Sequence, residues 1–107
     1  MAFAIVLAPG AVEELQGLRA DIGPRVRDAI ERHLRHERMK VSQSRVKRLR
    51  GRERPQYRLR VDEVRVFYDV TETTGEVLAI ISKAKAQKWL NEKATPRSPR
   101  GAGEGKG

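Results

Sequence analysis

Three arginines stand close together in the segment Tyr57-Arg58-Leu59-Arg60-Val61-Asp62-Glu63-Val64-Arg65-Val66-Phe67-Tyr68. Side chains alternate between the two faces of a β-strand, so Arg58 and Arg60 share one face and Tyr57, Leu59 and Val61 share the other. A turn centred on Asp62-Glu63 pairs Val61 with Val64, Arg60 with Arg65, Leu59 with Val66 and Tyr57 with Tyr68. Directly opposed residues of an antiparallel pair lie on the same face. Arg60 and Arg65 are therefore expected side by side, with Arg58 next to them. Like charges in that position destabilise a sheet, so three guanidinium groups kept there are expected to hold an anion between them. The forked guanidinium suits carboxylate and phosphate oxygens. Tyr57 and Tyr68 fall on the aliphatic face and are assigned to the core.

The overall charge points the same way. The chain has 107 residues and a formal net charge of +9. The excess is concentrated: from Arg45 to Arg60 there are eight basic residues and one acid, Glu53. A local stripe of this kind suits nucleic acid or an acidic protein, or is simply a solvated surface. With no cysteine, a disulfide framework and a thiol nucleophile are excluded. No apolar run approaches the ~20 residues of a membrane span, and the N-terminus lacks the pattern of a signal peptide. A cytoplasmic protein without a membrane partner is expected. His33 and His36 have metal-ligand spacing but no evident partner ligand, so they read as ordinary helix residues, and no metal or other cofactor is expected. Ser82 has no His–Asp set to activate it, and there is no phosphate-cradling glycine-rich loop.

Several elements must position the hairpin. Phe3 to Leu7 reads as a buried strand ended by Pro9-Gly10. A first helix is expected over about 11–20, with Glu13 and Glu14 in its first turn. Gly23-Pro24 opens a second over about 24–37, with Val26, Ile30, His33 and Leu34 as its apolar stripe. Together they form a helical hairpin. Residues 39–45 read as a loop, Val46 to Arg50 as a strand closed by Gly51, and 52–56 as a polar loop. The strands 57–61 and 64–70 form the hairpin, 71–76 a turn holding Gly75, and Val77 to Ser82 an aliphatic central strand. Ala84 to Lys93 reads as a short helix, with Ala86, Trp89 and Leu90 on one side. Residues 94–107 lack apolar periodicity and are expected to be a disordered tail. The expectation is one α+β domain, 1–93: an N-terminal strand and helical hairpin packed on a small antiparallel sheet, with a short C-terminal helix.

Leu49-Arg50-Gly51, Tyr57-Arg58-Leu59-Arg60 and Val64-Arg65-Val66-Phe67-Tyr68-Asp69-Val70, placed after two helices and before an aliphatic strand, make the chain similar to the RelE/ParE superfamily of bacterial toxins from type II toxin–antitoxin systems. The resemblance spans about Phe3 to Leu90. It implies a toxin held inactive by a cognate antitoxin. RelE-like members cut messenger RNA, typically on the ribosome, and ParE-like members poison DNA gyrase. Metal-free RNA cleavage needs a base to activate the 2′-hydroxyl, cations to hold the phosphorane's charge and an acid for the leaving 5′-oxygen. Arg58, Arg60 and Arg65 match the charge of the RelE-like catalytic positions and suit the second role. Arginine stays protonated, so it is a poor base.

The C-terminal segment departs from the pattern. Where RelE-like nucleases tend to carry an arginine and then a tyrosine or histidine, this chain has Ser82-Lys83-Ala84-Lys85-Ala86-Gln87-Lys88-Trp89-Leu90. Lys83 or Lys85 is the candidate for the missing cation, and neighbouring arginines would lower a lysine's pKa and favour proton transfer. Trp89 suits stacking on a base or anchoring the last helix. Lys47, Arg48, Arg50, Arg52 and Arg54 are the candidates for holding the RNA backbone. The expected function is thus a ribosome-dependent mRNA endonuclease. The alternatives are a ParE-like gyrase inhibitor and a basic RNA-binding module without catalysis.

Overall fold

The computed structural model describes residues 3–36, 45–93 and 95–96. Its elements are β1 (Ala4–Leu7), α1 (Pro9–Gln16), α2 (Gly23–Ile30) running on into a π-helical segment (Glu31–His36), β2 (Val46–Arg48), β3 (Arg52–Arg54), β4 (Tyr57–Val61), β5 (Val64–Val70), β6 (Thr74–Ser82), α3 (Lys83–Lys93) and β7 (Thr95–Pro96). Five strands make one sheet in the order β1-β6-β5-β4-β2. The meander from β2 to β6 is antiparallel, and β1 joins β6 in parallel, making the sheet mixed. The expected α+β class and helical hairpin are both present.

The core lies between that hairpin and one face of the sheet. Val26, Ile30 and Leu34 pack with Tyr57, Leu59, Val66, Tyr68, Val77 and Ile80, and Ala11 of α1 is fully buried. The stripe read from the sequence of the second helix, Val26, Ile30, His33 and Leu34, is buried throughout. The tyrosines expected in the core are there, stacked with ring centroids 5.3 Å apart.

Local features differ from expectation for identifiable reasons. β1 is not a buried strand: it bonds only to β6, at the edge of the sheet, and Val6 stays 47% exposed. Helix α1 begins at Pro9, whose missing N–H suits a first turn, and ends before Gly17. Glu13 and Glu14 therefore lie beyond its first turn. Glu14 instead reaches across to the sheet, where its Oε1 accepts the Ile80 N–H at 2.8 Å. β1 stops opposite Val77, and the carboxylate takes over a strand donor that β1 does not reach. Gly75, read as a turn residue, lies inside β6. A Cβ there would come within 3.0 Å of Leu34 Cδ2 and 3.2 Å of Phe3, so the glycine allows helix and strand to close. The stretch read as a polar loop contains β3, which pairs with β7. It is tied to β5 by Arg54 to Asp69 (2.7 Å) and the Gln56 N–H to Asp69 Oδ1 (2.7 Å). Most of the expected loop 39–45 and of the expected tail 94–107 lies outside the described residues; Thr95–Pro96 is the part of the tail that forms β7.

Candidate anion-binding face

The hairpin β4–β5 has the expected register: Val61 faces Val64, Arg60 faces Arg65, Leu59 faces Val66 and Tyr57 faces Tyr68. Asp62, at the turn, has φ 53°, a left-handed conformation that Asp tolerates better than most residues. On the face away from the core, two rows cross the strands. One runs Lys47, Arg58, Phe67. The other joins Arg60 to Arg65 and is extended by Arg45, whose carbonyl accepts the Arg60 N–H at 2.8 Å.

The three arginines are held differently. Arg65 is only 8% exposed, and its Nη1 donates to the carbonyls of Asp62 (2.9 Å) and Val64 (3.1 Å). These bonds orient the guanidinium without neutralising it. Arg58 is half-buried, and its Nε has no hydrogen-bond partner among the described residues. Arg60 is exposed beside both. Burial, and then the charges of Arg65 and Arg60, push Arg58 below the ordinary arginine pKa. Burial and then Arg60 do the same to Arg65, partly opposed by Glu63. Both remain protonated at neutral pH. A bound anion reverses the sign of this strain, because it pairs with the cations and offers acceptors to their N–H groups.

A cleft of about 550 Å³ opens beside Arg60 and Arg65, between α2 and the hairpin turn, and Lys83 lines it. The backbone N–H of Lys83 is bonded to Glu63 O at 2.7 Å, which anchors the start of α3 at that turn. Lys85 is exposed on α3 and does not line the cleft. Lys47 stands next to Arg58 as part of the face. Arg48 points to the other face, with its guanidinium 5.2 Å from the Tyr57 ring centroid and its Nη1 3.2 Å from the Tyr57 hydroxyl. Arg50 is exposed between β2 and β3, and Arg52 contributes its backbone to β3. Arg54 is ion-paired with Asp69 and Glu76, at 2.7 and 2.9 Å. Trp89 stacks on Phe67, with centroids 5.0 Å apart and planes at 11°, so one face of the indole is already covered. Sequence reasoning missed Arg25 and Arg32, which also line the cleft. Their spacing of seven, two turns of one helix face, was the available signal.

Among the described residues, no group of three or more His, Cys, Asp or Glu is arranged to hold a metal ion, and no helix is long and apolar enough to cross a membrane.

A small mixed sheet, a helical hairpin on one face and clustered cations on the other define a class of compact α+β protein. Solved structures make the class specific. The chain is similar to one in an archaeal RelE–RelB complex from Pyrococcus horikoshii, with TM-score 0.64 and 22% identity over 79% of this chain and 99% of that one. It is also similar to one in a RelBE toxin–antitoxin complex from Mycobacterium tuberculosis, with TM-score 0.61 and 20% identity over 77% and 99%. A RelB–RelE antitoxin–toxin complex from Methanococcus jannaschii gives TM-score 0.61 and 18% identity over 79% and 98%. No protein-family model and no curated protein matches the sequence. The fold is that of RelE.

Proposed function

We propose that this chain is the toxin of a type II toxin–antitoxin system, a metal-independent, ribosome-dependent mRNA endonuclease neutralised by a cognate antitoxin. The observation that carries the reading is Arg60 facing Arg65 across the hairpin, with Arg58 beside them on a RelE fold. Like charges so placed weaken a sheet, and a phosphate between them turns that cost into binding. Arg58, Arg60 and Arg65 clamp the scissile phosphate and hold the charge that develops on the phosphorane. Lys83, at the rim beside Arg60 and Arg65, contributes charge and proton transfer in preference to Lys85. Lys47 holds the adjoining backbone.

The antitoxin reading draws on the neighbours, which were solved as RelE–RelB complexes. A short acidic chain laid over the arginine rows would block them.

Inducible expression tests the proposal. The wild-type chain is expected to arrest growth, and Arg65→Ala, folded by circular dichroism, to leave growth intact. A fully toxic Arg65→Ala variant contradicts it. Growth arrest with DNA damage and intact mRNA points to a gyrase target instead, and a harmless wild-type chain to a non-catalytic binding module.

A further inference from the structure

The cleft beside the arginine pair offers more recognition chemistry than clamping one phosphate uses. Its volume of about 550 Å³ falls within the range of about 300–1,000 Å³ usual for small-ligand sites. Arg25, Arg32, Arg45, Arg60, Arg65 and Lys83 bring cations to its wall, and Asp28, Asp62 and Glu63 bring carboxylates. Arg25 is ion-paired with Asp62 at 3.0 Å, which fixes that side of the opening. Arg60 and Arg65 belong both to the cleft and to the β face, so the two form one continuous surface. Ala29 and Val61 add small apolar areas to the lining.

We propose that the cleft is a ribonucleotide subsite, into which an RNA strand continues after passing over Arg58, Arg60 and Arg65. Arg32 and Arg45 take the next phosphate, and the nucleoside sits against Ala29 and Val61 within reach of Asp28. The inference rests on the RNA reading above. It goes further by assigning α2 and the π-helical segment that continues it, both outside the arginine face, to the substrate path. The mixed charge of the lining selects the occupant. A nucleotide is an anion joined to a neutral body rich in donors: base amino groups and the 2′-hydroxyl can donate to Asp28 or Glu63 while the phosphate meets the arginines. A run of peptide carboxylates would instead meet those two acids as repulsion.

The test uses the full-length chain and a fluorescein-labelled mixed-sequence oligoribonucleotide of about twelve nucleotides, a length that spans a typical single-strand site. Binding is followed by anisotropy across a salt series for the wild type, Arg32→Ala, Arg32→Lys and Arg65→Ala. Arg32 is exposed, so its variants are expected to keep the wild-type melting curve. Losing one phosphate contact to a single strand lowers the slope of log K against log salt by about 0.7. Arg32→Ala is expected to show that loss together with weaker binding, and Arg32→Lys to recover most of the slope. Unchanged binding by Arg32→Ala alongside weakened binding by Arg65→Ala overturns the subsite and leaves the arginine-face reading standing. Unchanged binding by both variants overturns the RNA reading and the subsite with it. Displacement of the oligomer by polyglutamate that depends on Arg32 assigns the cleft to an acidic protein and also overturns the proposal.

Discussion

At the scale of single residues, the arginine face carries a cost in stability, which the proposed binding of a phosphate would offset. Arg58 is the clearest case. Its guanidinium is half-buried, its Nε is without a partner among the described residues, and Arg60 and Arg65 stand next to it. An unsatisfied buried donor and neighbouring like charges both cost folding energy. Arg58→Met keeps the aliphatic stem and removes the charge. It is expected to stabilise the fold by on the order of 1 kcal/mol, raising Tm by about 4–8 °C for a domain of this size, while abolishing toxicity. Added salt screens like charges, so it should raise the wild-type Tm more than the variant's. A melting scan in low and high salt checks both points, and a lower Tm for Arg58→Met contradicts the strain assigned to this residue. Arg65 is a different kind of residue. The carbonyls of Asp62 and Val64 hold its guanidinium in place, so its orientation is set before any ligand arrives.

At the scale of elements, legibility followed the range of the interactions involved. The hairpin was legible to the residue because strand alternation and a two-residue turn are local, and Arg60 opposite Arg65 follows from them directly. The helix-2 stripe was legible for the same reason. Gly75 was misplaced because glycine marks turns in sequence, whereas here Leu34 and Phe3, distant in the chain, exclude a Cβ. The edge position of β1 and the capping of Ile80 by Glu14 depend on tertiary placement. So does the cleft, because Arg25 and Arg32 come to line it only where the second helix is set beside the hairpin turn. Trp89 was open between stacking on a base and anchoring a helix, and its contact with Phe67 favours the anchor. α3 has no fully buried residue, so this stack, worth about 0.5–1.5 kcal/mol, is a main hold on it. Trp89 is the single tryptophan, which makes the prediction easy to read. Phe67→Leu is expected to shift its emission to the red and increase quenching by acrylamide. Unchanged emission and quenching would show that α3 is held by other contacts.

At the scale of the whole molecule, the two faces of the sheet play separate roles. One carries the apolar residues that pack under the helical hairpin, and the other carries rows of cations. α3 covers the Phe67 end of that second face and brings Lys83 to the rim of the cleft at the other. The charge excess between Arg45 and Arg60 is thereby folded into an oriented surface, although some members, such as Arg48 and Arg54, are engaged elsewhere by Tyr57, Asp69 and Glu76. The central claim is that this surface holds a scissile RNA phosphate. Primer extension across abundant mRNAs, after matched induction of the wild type and of Arg65→Ala, tests it most directly. New 5′ ends within coding regions for the wild type, and none for Arg65→Ala at equal protein level, are the predicted result. Intact messages under wild-type growth arrest, or identical new ends for both proteins, would contradict it.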